Sequence, residues 1–168
     1  MLKVEYKKIN YDGLKLARER KLLEHNSAYE LLNKMLGEHF NIYNPEILKT
    51  HNGKPYINVP NVHFSISHTN ELVVCAISNH PVGIDAERLT RRTDVRIDSF
   101  AKRYFTENER KLLESASDKR MAFYKIWCGK EATIKKLGGT ISYLKKIDTT
   151  MENFQYIYMD DYIICIKI

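Results

Sequence analysis

Two segments carry side chains whose types and spacing could do chemistry together. In Val82-Gly83-Ile84-Asp85-Ala86-Glu87 the two carboxylates alternate with apolar residues. In an extended chain such alternation puts Asp85 and Glu87 on one face, roughly 7 Å apart and within reach of one hard cation. Gly83 would let backbone or ligand come close beside them. Taken alone, the pair also suits a solvated turn. Further along stands Trp127-Cys128-Gly129-Lys130-Glu131-Ala132-Thr133-Ile134-Lys135. On a helix Trp127, Glu131 and Lys135 share a face at i, i+4 and i+8. Glu131 could complete an oxygen set for Mg²⁺, and Lys135, one turn on, could meet a phosphate held by that ion. The structural alternative is an ordinary Glu–Lys helix pair beside a core tryptophan, worth a few tenths of a kcal/mol. Gly129 costs such a helix about 1 kcal/mol relative to Ala, which suits close packing or ligand approach near Lys130 and equally a merely tolerated glycine.

A third cluster joins Gly53-Lys54-Pro55-Tyr56 to Phe64-Ser65-Ile66-Ser67-His68-Thr69. Ser67 and His68 end a strand pattern with a hydroxyl and an imidazole suited to phosphate, and Lys54 follows a tight turn. Glu109, in Thr106-Glu107-Asn108-Glu109, is a further carboxylate, although Thr-x-x-Glu also reads as a capping box.

The elements that must position these groups follow from periodicity. Residues 2–9 read as a strand. Leu14, Ala17, Leu22 and Leu23 predict an amphipathic helix from Asp12 to about Glu24. A second helix is expected from the caps Asn26 or Ser27, with Ala28, Leu31, Leu32, Met35 and Leu36 inward and a stop at Gly37. Asn52-Gly53 marks a hairpin-like turn. VHFSISH and LVVCAIS are two strands, followed by helical segments near 97–104 and 107–115, a strong helix over about 118–137 ending at Gly138-Gly139, and a last strand pair in FQYIYMDDYIICIKI. Shifting the sequence by 90 residues lays Phe64 on Phe154, Val73 on Ile163, Val74 on Ile164 and Cys75 on Cys165. Two similar α+β halves about a pseudo-twofold axis would explain this echo, though two buried hairpins can also look alike by chance.

In the order GKPY, FSISHT, VGIDAE, FTENE, WCGKEATIKK, these motifs resemble the 4′-phosphopantetheinyl transferase superfamily, specifically its Sfp-type branch. The resemblance covers about residues 50–137. It implies an α+β fold of two similar lobes, divided here as 1–83 (reduced) and 84–168, with the site between them. It implies Asp85, Glu87 and Glu131 as Mg²⁺ ligands. Lys54, Ser67 and His68 would contact the nucleotide and phosphates of coenzyme A, and Lys130 and Lys135 would lie along its pyrophosphate. Glu131 and Glu109 would be the candidates for the base that deprotonates the acceptor. The expected reaction moves phosphopantetheine from coenzyme A to a serine of an apo carrier protein. The chain departs from the branch in its shorter N-terminal half, where Asn26 and Ser27 stand in the neighbourhood of a basic residue.

Bulk properties agree with one ordinary globular chain. Lys and Arg number 27 against 21 Asp and Glu, a net charge of +6 that fits a phosphate-rich cofactor, an acidic protein or nucleic acid. An acidic helical carrier protein is the partner expected at Arg88, Arg91, Arg92, Arg96 and Lys102. A nucleic-acid module, the rival reading, needs aromatics interleaved with basic residues on one platform, whereas the 11 tyrosines are scattered. A non-catalytic binding member of the family is the other rival. No apolar run reaches the roughly 18 residues of a membrane span, and the first residues show no signal peptide, so a cytoplasmic location is expected. Three cysteines without a CxxC pattern fit a reducing compartment. Two halves in one chain predict a monomer, whereas the family's one-lobed relatives form trimers.

Overall fold

A computed structural model describes residues 1–90 and 94–168, with backbone alone at 94 and 95. Strand β1 (Leu2–Lys8) leads through a loop to helix α1 (Ala17–Phe40). Two short strands, β2 (Leu48–Lys49) and β3 (Pro55–Tyr56), flank the Asn52-Gly53 turn, where Gly53 takes φ +83°. The hairpin β4 (His63–Thr69) and β5 (Leu72–Ser78) follows, then β6 (Gly83–Arg88). Helices α2 (Asp94–Tyr104), α3 (Glu107–Ser115) and α4 (Lys119–Leu137) come next. Two 3-10 turns, Ile141–Lys146 and Thr149–Met151, precede the closing hairpin β7 (Gln155–Met159) and β8 (Tyr162–Lys167).

The sheets repeat one plan. The first has the order β1-β5-β4 and the second β6-β8-β7, each antiparallel throughout. Each is a strand, a crossover carrying a long helix, and a hairpin. Strand alternation sorts the side chains into three cores. Val73, Cys75 and Ile77 of β5 pack under α1 with Ala28, Leu32, Met35 and Leu36. Ile163 and Cys165 of β8 pack under α4 with Phe123, Trp127 and Cys128. The opposite faces meet: Leu72, Val74 and Ala76 of β5 and Ile84 and Ala86 of β6 bury against Tyr162, Ile164 and Ile166 of β8. The residues matched by the 90-residue shift thus take the same places, Val74 and Ile164 between the sheets, Cys75 and Cys165 under the helices. The α+β fold with two similar halves is therefore as expected.

One expectation is corrected. Helices over 12–24 and 26–37 are a single helix, α1, which starts later and continues through both Ser27 and Gly37 to Phe40. Ser27 is buried against the first sheet, as are Glu24, Ala28, Leu31 and Leu32, so the inward stripe is continuous and outweighs the local tendency of Asn and Ser to cap. Gly37 serves as a packing gap, since a Cβ there would lie 2.9 Å from the Tyr43 ring. The helix ends at Asn41, in the left-handed region at φ 55°. No helix among the described residues is long and apolar enough to cross a membrane.

Candidate active site

The site begins where β6 lies against α4. A Cβ at Gly83 would stand 1.8 Å from the carbonyl oxygen of Ala132, so only glycine permits this approach. The contact sets Ile84 and Ala86 between the sheets and turns Asp85 and Glu87 the other way, towards α4. Asp118 starts α4 by accepting the Met121 N–H at 2.9 Å, and Gly138 at φ 68° ends it. Trp127, Glu131 and Lys135 accordingly line the same cleft as Asp85 and Glu87, at the spacing the helix period requires. The first lobe closes the cleft with Ser67 and His68 of β4 and with His25 and Tyr29 of α1, whose rings lie 4.7 Å apart. The volume enclosed is about 480 Å³.

Both acidic residues of β6 are buried and oriented by named donors. Asp85 Oδ1 accepts from Ser67 Oγ at 3.0 Å and from Lys135 Nζ at 2.8 Å. Lys135 Nζ also donates to Ser67 Oγ at 2.7 Å, which closes a three-membered polar group across the lobes. Trp127 donates its indole N–H to Glu87 Oε1 at 3.0 Å, so the core tryptophan also aims a cleft carboxylate. Ser65 of β4 accepts the Ile84 N–H at 3.0 Å and fastens the two strands together. Asp85 Oδ2 is buried and, among the described residues, meets no hydrogen-bond donor within bonding geometry, although the Cys128 thiol interacts with the Asp85 carboxylate. A buried carboxylate oxygen without a well-formed hydrogen bond is costly, and a cation would satisfy it.

This donor set fits Mg²⁺. Three carboxylates line one cleft, and one of them holds a buried oxygen that receives no well-formed hydrogen bond among the described residues. Among the described residues the three do not come within 4.8 Å of one another. Mg²⁺ binds oxygens at about 2.1 Å, so as placed not all three carboxylates can bind it directly. The ion retains several waters, and a bound water can serve the remaining carboxylate. Cys128 lies behind the carboxylates, fully buried, and burial together with Asp85 and Glu87 pushes its thiol well above the ordinary value.

Lys54 stands in an adjoining cavity of about 240 Å³ that shares Pro55, Ile66 and Lys135 with the main cleft. Its ammonium donates to the Lys136 carbonyl at 2.6 Å, and Asn52 donates to the Gly138 carbonyl at 3.0 Å. Burial, and then the neighbouring Lys136, lower the Lys54 pKa from the usual lysine value.

Two further residues expected in the site line neither cavity. Lys130 is fully buried, with Nζ 2.7 Å from Glu109 Oε2 and 2.7 Å from the Leu144 carbonyl. Its ammonium faces these acceptors and does not line the cleft, which corrects the expectation that it lies along the pyrophosphate. Burial pulls its pKa down, against the upward pull of Glu109. Glu109 forms the capping box with Thr106, and its other oxygen accepts the Thr149 N–H and hydroxyl, each at 2.8 Å. With that many donors it has no free oxygen for an acceptor proton, and the base reading of Glu109 is withdrawn as well. Of the basic edge, Arg88 is tied to Asp161, Arg96 and Lys102 are exposed on α2, and Arg91 and Arg92 lie outside the described residues. Sequence reading missed His25, Tyr29 and Glu24. Only the continuity of α1 would have placed them beside β4.

Residues 81–161 match the model of the 4′-phosphopantetheinyl transferase superfamily. A 4′-phosphopantetheinyl transferase, gsp, of Aneurinibacillus migulanus is 44% identical over 112 residues, 64% of this chain and 45% of that protein. The transferase Sfp of Bacillus subtilis (strain 168) is 38% identical over 93 residues, 54% of this chain and 40% of that protein. The chain is thus similar to the 4′-phosphopantetheinyl transferase superfamily over just under half its length. Among its members, gsp and Sfp are the kind it resembles here. A more distant relative, AcpT of Salmonella typhi, is 30% identical over 111 residues, 64% of this chain and 57% of that protein. The matches to gsp and Sfp thus span less than half the length of those two relatives. The superfamily match contains the three carboxylates and Lys135, whereas Lys54, Ser67 and His68 precede it.

Proposed function

We propose that this chain transfers the 4′-phosphopantetheine group of coenzyme A to a serine hydroxyl of an apo carrier protein. The observation that carries the reading is the cleft that Asp85, Glu87 and Glu131 share with Lys135, Ser67 and His68, where Lys135 and Ser67 both donate to Asp85. Asp85, Glu87 and Glu131 would hold Mg²⁺, which would neutralise charge on the pyrophosphate as a Lewis acid.

The chain's own residues supply the rest. Lys135 presents its ammonium on the cleft wall beside Asp85, where it stabilises charge moving onto the leaving phosphate. Ser67 and His68 offer a hydroxyl and an imidazole to phosphate oxygens from the first lobe, and Lys54 serves the nucleotide from the adjoining cavity. The serine oxygen attacks the β-phosphorus and forms the new P–O bond. The bond from that phosphorus to the bridging oxygen breaks, and 3′,5′-ADP departs with the electron pair. The serine proton passes to a carboxylate at the cleft, for which Glu131 is our choice now that Glu109 is committed elsewhere.

We place the lobe boundary at residues 83–84, and we read the chain as a cytoplasmic monomer. Arg96, Lys102 and Arg103 on α2 form the exposed basic face for an acidic helical carrier. Incubation with coenzyme A, Mg²⁺ and an apo carrier should add about 340 Da to the carrier, the mass of one transferred group. An unchanged carrier mass with a bound coenzyme A would identify a non-catalytic member instead. Asp85→Ala and Glu131→Gln should each lower transfer at least about 100-fold, beyond what loss of an outer-shell contact costs, with far-ultraviolet circular dichroism unchanged. Full activity in either variant would sink the metal assignment.

A further inference from the structure

Behind His68, outside the cleft, lies a run of polar groups that the proposed chemistry does not use. Glu24 of α1 is buried to 7% exposure, unusual for a carboxylate, and its Oε2 lies 3.0 Å from His68 Nδ1. Its other oxygen accepts the hydroxyl of Tyr11, and that hydroxyl accepts the Glu71 N–H at 2.9 Å. Three separate parts of the first lobe, the loop after β1, the helix and the β4–β5 turn, thus converge on one carboxylate.

We propose that Glu24 is a positioning residue that holds His68 for an anionic phosphate group of the bound ligand. The inference rests on the coenzyme A reading above. A carboxylate at Nδ1 fixes a proton on that nitrogen and leaves Nε2 as the ring nitrogen for the cleft that His68 lines. For a phosphate oxygen to accept from Nε2 the ring must also carry a proton there, and Glu24 behind it would balance the charge so formed. Tyr11 restrains Glu24 in turn through its hydroxyl, whose pKa burial and the Glu24 bond push up to about 12. Without Glu24 the imidazole, itself 40% exposed, would be free to turn.

The test is a double-mutant cycle read by calorimetric titration with coenzyme A, and separately with 3′-dephospho-coenzyme A. Glu24→Ala should weaken coenzyme A binding about tenfold, the scale of a hydrogen bond to a charged group. Glu24→Gln, which keeps an acceptor, should recover much of that loss. In a His68→Ala background Glu24→Ala should add nothing further. A loss as large in that background would show that Glu24 acts through the fold alone and would overturn the proposal. If the dephospho ligand loses as much as coenzyme A, the phosphate His68 meets lies in the pyrophosphate; if it loses little, it is the 3′-phosphate. Ring ¹⁵N spectra of His68 in the ligand-free protein decide independently of coenzyme A. The wild type should carry the Nδ1–H tautomer in its neutral form, and Glu24→Ala should lose it. Failure to bind coenzyme A with the tautomer intact would count against the functional reading, not against the Glu24–His68 pairing; absence of that tautomer in the wild type would overturn the pairing itself.

Discussion

At the level of single residues, the Lys130–Glu109 pair shows how a site motif can hold a structural part. Lys130 neighbours Glu131 in sequence, but one step along a helix rotates a side chain by about 100°. It therefore points from the cleft towards Glu109 and the 3-10 turns, where Leu144 and Ile147 also accept its protons. Glu109→Gln should cost about 3–5 kcal/mol in urea unfolding, because it strands a buried ammonium. The double variant Glu109→Gln with Lys130→Met should recover part of that loss. Any folded fraction of Glu109→Gln should keep its transfer rate per folded molecule. A rate collapse at full stability would return Glu109 to the chemistry. The helix period alone could have separated Lys130 from Glu131 and Lys135, whereas the burial of Glu109 depends on a turn 40 residues away that no local pattern reports.

Among the elements, legibility followed how much of each one's packing was local. Strands β5 and β8 and helix α4 were readable because their runs are apolar, capped and closed by turn residues. Helix α1 was divided because Asn26 and Ser27 favour caps, and only the first sheet shows that Ser27 is packed. The same error hid Glu24, His25 and Tyr29. Two glycines give this level a direct comparison. Gly83→Ala forces a Cβ into the α4 backbone and should destabilise the fold by about 3 kcal/mol or more, an overpacking cost that loosens the seat of Asp85. Gly53→Ala meets nothing within 4 Å and bears only its φ of +83°, so about 1 kcal/mol is expected. Thermal denaturation of the two variants side by side checks the order.

Across the whole molecule, three buried thiols and three low-lying carboxylates make separate predictions. Cys75, Cys128 and Cys165 are buried, and burial raises each pKa, that of Cys165 to about 12. None should react with an aromatic disulfide reagent until the chain unfolds. The Arg88 bond holds Asp161 below the usual carboxylate value, and the Lys111 bond does the same for Glu107. Burial opposes this at Asp148, but the bonds from Thr150 and Asn108 outweigh it. These depressed values mean that the unfolded chain binds more protons in acid. Stability from them is complete above about pH 5.5, beyond the unfolded carboxylate values, and is lost as pH falls through the folded ones. Urea midpoints between pH 6 and 3 should fall, and less steeply in salt, since these pairs lie at the surface.

The Asn52-to-Lys54 turn has one more consequence. Its two side chains donate to the carbonyls of Lys136 and Gly138, which the end of α4 leaves without helical partners. A turn from one half of the molecule therefore finishes a helix of the other, at the turn that carries Lys135. Amide exchange in the last turn of α4 becomes a gauge of whether the first lobe is docked. Asn52→Ala should quicken exchange there while leaving the middle of the helix slow. Two halves supplied as separate fragments should recover that protection only on reassociation.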